Sequence, residues 1–131
     1  MNRMQTAITE GVEIKVETQF RPDLSNIEIG SFFYNYHVTV ENHNAYAVQL
    51  MHRDWYIFDS LDEANLVSGP GVIGEQPTLR PTEKFHYTSG CELTSEAGFM
   101  KGFYTFQNLV NGMQFQVEIP VFNLIFPPKL N

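Results

Sequence analysis

Val12-Glu13-Ile14-Lys15-Val16-Glu17-Thr18-Gln19-Phe20 alternates apolar or β-branched residues with polar ones, the two-residue period of a half-buried β-strand. Val12, Ile14, Val16, Thr18 and Phe20 share one face; Glu13, Lys15 and Glu17 share the other. Arg21-Pro22-Asp23 ends the run, and residues 23–30 read as a loop. The period returns in Tyr34, Tyr36, Val38 and Val40 against Asn35, His37, Thr39 and Glu41. Asn42-His43-Asn44-Ala45 then forms a turn of residues that tolerate left-handed geometry. A third strand runs from about Tyr46 to Phe58. In it Val48, Leu50 and His52 share one parity while Trp55 and Ile57 share the other, so a bulge or bend is expected near Arg53-Asp54.

Beyond this, residues 59–64 read as a polar connection with at most one helical turn, and Asn65-Leu66-Val67 begins a return strand. Lys84 to Thr88 forms another strand; Met100, Gly102, Tyr104 and Phe106 alternate with Phe99, Lys101, Phe103 and Thr105. Asn111-Gly112 marks a hairpin before Met113, Phe115, Val117 and Ile119, and a separate extended piece, Val121 to Phe126, stops at Pro127-Pro128. About seven short strands with no sustained helical period specify an all-β, antiparallel, immunoglobulin-like β-sandwich. At 131 residues the chain forms a single domain, 1–131, that buries about two-thirds of its unfolded surface.

Charge and cysteine usage narrow the function classes. The net charge is −7 and the eight basic residues stand singly, without the clustered cations that nucleic acid requires. Cys91 is the only cysteine, which rules out an intramolecular disulfide and favours a reducing, cytoplasmic location. The first eight residues lack the apolar core of a secretory signal, and no apolar run approaches the roughly 20 residues of a membrane span. A membrane partner and a transport role are therefore not expected.

Ser68-Gly69-Pro70-Gly71-Val72-Ile73-Gly74-Glu75-Gln76-Pro77 contains the letters G-x-G-x-x-G of dinucleotide-binding folds. That fingerprint works only where a helix follows and presents its N-terminus to the pyrophosphate. Pro77 and Pro81 forbid such a helix. What remains for Gly69, Gly71 and Gly74 is a shaped connector with positive φ, serving as a surface for a protein partner or as a nest of N–H groups for an anion. Pro70, which lacks an N–H, and the negative Glu75 weigh against the anion.

Four segments carry a family resemblance: Tyr34 to Asn42, Val48 to Asp59, Val67 through the glycine stretch to Gly90, and Gly98 to Tyr104 joined with Ile119-Pro120-Val121-Phe122. Through them the chain resembles the ApaG family of small bacterial proteins, whose domain also occurs in some eukaryotic F-box proteins and in a DNA polymerase delta-interacting protein. The sequence departs from the family pattern at Arg53-Asp54-Trp55 and at Pro81-Thr82-Glu83. The resemblance implies a fibronectin type III-like sandwich and an indirect link to cobalt and magnesium resistance. It also implies a gene neighbourhood of dinucleoside-polyphosphate hydrolysis and ribosomal RNA methylation.

No catalytic constellation stands out. His37, His43, His52 and His86 lack zinc-ligand spacing, although His37 and His52 could meet across neighbouring strands. Asp59, Asp62 and Glu63 could hold a hard cation loosely but lack the calcium-loop pattern; a solvated turn is the plainer reading. Cys91 with His86 has no third group to orient the histidine, and Ser89 lacks a nucleophile-elbow motif. Trp55 reads as core; exposed, it would form an interface pair with Arg53. The expectation is a non-enzymatic binding module with no cofactor and no built-in metal. Its candidate binding residues are Gly69, Gly71, Gly74, Arg53, Trp55 and Tyr87. Its partner is another protein, with a nucleotide polyphosphate or other anion, metal-linked, as the alternative. Edge strands also allow a homodimer, although Pro22, Pro120 and Pro127 would blunt some edges.

Overall fold

A computed structural model describes residues 3–60 and 64–130. Nine strands form two antiparallel sheets: β1 (Arg3–Thr9), β2 (Val12–Phe20), β3 (Phe32–Asn42), β4 (Val48–Asp59), β5 (Asn65–Pro70), β6 (Thr78–Leu79), β7 (Lys84–Leu93), β8 (Ala97–Asn108) and β9 (Gln114–Ile125). One sheet runs β1-β2-β3-β7; the other runs β5-β4-β8-β9, with β6 also pairing β4. The sandwich expected from the alternation is present, with more strands than the sequence signalled.

The two additional strands are β1 and β6. In β1, Ala7 and Gln5 stand opposite the inward Ile14 and Val16, so its larger apolar residues, Met4 and Ile8, face solvent. The segment after β2 contains two 3₁₀ turns, Pro22–Leu24 and Ile27–Ile29, rather than a plain loop. The connection after Asp59, with the helical turn expected there, lies partly outside the described residues, as do Asp62 and Glu63.

Two bulges set which side chains face inward. The β4–β8 register shifts between Leu50 and His52, two residues before the position expected from the parity change. Val48 and Leu50 are fully buried before it and Trp55 is 2% exposed after it. On β9 the register shifts opposite Met100/Gly102, pairing Met100 with Phe122 and Gly102 with Ile119. Val117 and Ile119 point inward before this bulge, and Phe122 and Leu124 after it. The piece expected as a separate strand after Pro120 is thus the second half of β9. Pro120 is accommodated because a bulge on an edge strand leaves a position with no ladder hydrogen bond to lose. Pro22 and Pro127 sit in 3₁₀ turns instead of on strand edges.

The core joins both sheets through aromatic rings. Trp55 lies 5.3 Å from Tyr36, 5.8 Å from Phe122 and 6.1 Å from Tyr104, the last two edge-on. The two flanks of the sandwich differ. On one, β1 and β2 pack against β9, and the Glu118 N–H donates to Thr9 Oγ1 at 3.3 Å. On the other, among the described residues, β7 pairs only with β3, and β5 and β6 pair only with β4.

Asn42 bridges the sheets on this second flank. Fully buried, its Nδ2 donates to the carbonyls of Tyr46 at 2.9 Å and Leu79 at 3.0 Å, while Oδ1 accepts from Asn44 N–H at 3.0 Å. Its backbone N–H donates to Glu83 and its carbonyl accepts from Thr82. One side chain thus fixes the end of β3, the following turn and β6. Asn42→Ala strands the buried Leu79 carbonyl, at a cost of about 1–3 kcal/mol when unsatisfied, and releases the part-buried Tyr46 carbonyl and Asn44 N–H. Urea unfolding followed by far-UV circular dichroism should show a loss of at least about 2 kcal/mol, whereas a shift below about 0.5 kcal/mol, the range of a neutral surface change, would refute the bridging role.

Candidate functional site

The bulge at Met51 places Arg53 and Trp55 on the inner face of β4, beside the open flank. There they line a cleft of about 210 Å³ with Tyr36, Val72, Ile73, Tyr87 and Ser89. Four elements converge on it: β3 supplies Tyr36, β4 the Arg–Trp pair, β7 Tyr87 and Ser89, and the glycine turn Val72 and Ile73. A larger, mostly apolar groove of about 480 Å³ lies between Phe58, Phe99 and Ile125, with Asp59, Ser60 and Asn123 also lining it.

Arg53 is the central cation. Its Nη1 donates to the Pro70 carbonyl at 3.0 Å and the Gly71 carbonyl at 2.9 Å. Nη2 and Nε have no protein hydrogen bond, and no carboxylate lies within ion-pair distance, among the described residues. The guanidinium lies against the Gly69 backbone, its strand partner: a Cβ there would sit 3.2 Å from Nη2. Gly69 therefore serves close approach, which corrects the expectation of a positive φ at that residue. Together with Ser68 and Pro70 it belongs to β5, so the true turn begins at Gly71.

The turn itself is short. Val72 N–H donates to the Glu75 carbonyl at 2.8 Å and Glu75 N–H returns the bond to Val72 at 2.9 Å. Gly71 has φ +60°, and a Cβ on it would meet the Glu75 carbonyl oxygen at 2.0 Å; only glycine fits. Gly74 (φ +80°) faces open space. Ile73, at φ 44°, carries a β-branched side chain in the left-handed region, where such residues are strained, and it is 55% exposed beside the cleft. The segment continues into β6, so no helix faces the turn.

Tyr36 and Tyr87 form the inner wall, with the fully buried Tyr104 behind them. Tyr87 and Tyr104 hydrogen-bond to each other through their hydroxyls. Burial holds both, and Tyr36, above the ordinary tyrosine range, while the Ser89 hydroxyl draws Tyr36 partly back. The positive field of Arg53 reaches all three rings. Burial is the dominant cause, so the wall is neutral and donates hydrogen bonds throughout the physiological pH range.

Arg53, Trp55, Tyr87 and the glycine turn are thus brought together, although Trp55 is core first and wall second. Nothing in the sequence places Tyr36 and Ser89 at this cleft; they are direct partners across β3 and β7, and only that pairing reveals them. Other residue combinations that the sequence offers are not brought together. His37 and His52 lie in different sheets. His37 Nδ1 is 2.8 Å from Thr88 Oγ1, and His52 lies 3.9 Å from Asp54. Cys91 and His86 are five residues apart on one strand and so face opposite ways; burial pushes the thiol up to about 11, away from nucleophilic chemistry. Asp59 belongs to no solvated turn. It is 9% exposed and accepts from Thr94 N–H at 2.6 Å, Thr94 Oγ1 at 2.7 Å and Ser95 Oγ. Glu13, Glu41 and His43 cluster within metal-ligand reach of one another, but Lys15 and Lys84 each lie 3.9 Å from one of the carboxylates, occupying their charge.

Comparison with known proteins agrees with this framework. Residues 22–108 match the family model described as ApaG domain. A Protein ApaG of Methylocella silvestris is 43% identical over 124 residues, covering 95% of each chain. A Protein ApaG of Brucella anthropi is 42% identical over 126 residues and 96% of each. Among solved structures, a Bordetella pertussis protein described as ApaA superposes with TM-score 0.85 at 34% identity, covering 88% of this chain and 94% of its own.

The tyrosine wall makes stability sensitive to alkali. Tyr36, Tyr87 and Tyr104 have folded pKa values above the ordinary 10.0, so their contribution is intact below about pH 10 and falls as pH rises beyond it, where the unfolded chain releases protons first. Urea midpoints at about pH 8 and about pH 11 should differ in that direction, and the Tyr87→Phe/Tyr104→Phe double variant should lose less across the same interval. An equal loss in both proteins would refute the assignment.

Proposed function

The chain belongs to the ApaG domain family, and from that premise we propose that it acts as a non-enzymatic binding module whose recognition site is the cleft at Arg53. The single observation carrying this reading is the uncompensated guanidinium. In a chain of net charge −7, an inward arginine with two of its three nitrogens unbonded stands beside a neutral wall of hydroxyls and an exposed, strained Ile73. Strain held in place beside a cation is characteristic of a surface shaped for recognition. The names of the matching proteins describe a domain and its carriers and no reaction. The partner is a protein, met in the cytoplasm. The association with cobalt and magnesium resistance then runs through that partner.

A second reading, a nucleotide polyphosphate or phosphate at the glycine turn, draws on the same guanidinium and on the N–H groups of Ile73 and Gly74. Trp55, the only tryptophan, lines the cleft and reports on its occupancy. Nucleoside triphosphates and dinucleotides at millimolar concentration, with and without Mg²⁺ or Co²⁺, should leave Trp55 emission unchanged on the preferred reading; a saturable change would favour the second.

A photo-crosslinking amino acid at Ile73 should give a discrete protein adduct in cells, abolished by Arg53→Gln. The same group at Val121, on the outer face of β9, should not give that adduct. Identical adducts from both positions, or none from Ile73, would overturn the cleft as the recognition site.

A further inference from the structure

The cleft is flanked by an edge strand that lacks the usual protection. Among the described residues β7 pairs with β3 alone, and no backbone–backbone hydrogen bond joins its other side to another element. Open edges in soluble proteins are normally blunted by charge, proline or shortness. β7 is ten residues long, and from Phe85 to Cys91 it contains no Lys, Arg, Asp, Glu or Pro. Tyr87 and Ser89, at its middle, face the cleft beside Arg53.

On this geometry we infer that a protein partner adds an extended segment to the open edge of β7, and that one carboxylate side chain of that segment enters the cleft and pairs with Arg53. The inference rests on the cleft being the recognition site and names how the partner fills it. Strand addition supplies the outward N–H and C=O groups of β7 with partners, giving affinity from the backbone. Selectivity comes from the guanidinium. Nη1 is spent on two carbonyls, whereas Nη2 and Nε form the edge that accepts a carboxylate in a two-point contact. Side chains of an added strand alternate in direction, so every second residue points inward, and a cleft of about 210 Å³ has room for one short acidic side chain. The Tyr36 and Ser89 hydroxyls and the Tyr87 ring surround it.

Random octapeptides displayed on beads and selected on the full chain test this. The expected winners carry Asp or Glu at one fixed position, flanked by β-branched residues at alternate sites. Arg53→Gln should weaken them at least tenfold while leaving their Asn or Gln counterparts unchanged, and Arg53→Glu should turn the preference towards Lys at that position. A merely structural role for Arg53 would not produce that reversal. Methylating alternate peptide amides should abolish binding in one phase of alternation and spare it in the other, and bound peptide should slow exchange of alternate β7 amides. Winners without a fixed acid, winners indifferent to amide methylation, or no winners at all would overturn the inference. So would concentration-dependent dimerisation that protects the β7 amides, which would make a second copy the occupant. If the Ile73 crosslink persists while the peptides fail, strand addition falls and the recognition site stands; if both fail, both fall.

Discussion

Everything at the cleft depends on one extra residue in β4. Side chains on a strand alternate strictly, so without the bulge at Met51 the sequence Arg53-Asp54-Trp55 would present Asp54 to the interior and Arg53 and Trp55 to solvent. The insertion inverts that assignment. Trp55 becomes the ring around which Tyr36, Tyr104 and Phe122 pack, and Arg53 is carried inward with it. Asp54 faces outward and accepts from the Ser68 hydroxyl. Even a half-buried cation is costly unless its donors find acceptors or water. Here two carbonyls at the end of β5 and the start of the turn serve Nη1, and the open flank leaves the remaining donors in reach of solvent.

The sandwich is asymmetric about this feature. One flank is closed by β1 and β2 against β9. The other is spanned by the Asn42 bridge and by the turn between β5 and β6, and the cleft lies in the gap they leave. The three glycines serve different purposes there. Gly69 lets a guanidinium lie on a strand backbone, Gly71 allows a turn that no side chain could enter, and Gly74 closes it in the left-handed region. A phosphate-binding motif would use its glycines together around one ligand. Here they serve three separate local needs, which explains why the letters of the motif occur without its helix.

Much of this was legible in the chain. The alternation in β2, β3 and β8 sufficed for the sandwich because each strand has one clean buried face. β1 was hidden because its apolar residues, Met4 and Ile8, are on the outer side, and it is held by pairing with β2 instead of by burial. The second half of β9 looked like a separate strand because a bulge at Pro120 restarts the alternation on the other parity. Arg53, Trp55 and the glycine turn could be named from residue type. Tyr36 and Ser89 could not, since their adjacency is a product of which strands pair across fifty residues of chain. The same ignorance of pairing allowed His37 and His52 to be imagined together when they belong to opposite sheets.

Cys91 sits on β7 facing Tyr34 across the pair, buried and held in its thiol form. A thiol reagent in solvent therefore waits for the sandwich to breathe. Because this is the chain's sole sulfhydryl, the speed of its alkylation becomes a stopwatch for how often the outermost strand of that layer detaches. A bound companion that clasps the strand would slow the clock, and cysteines engineered onto the surface would react first, leaving the native one silent.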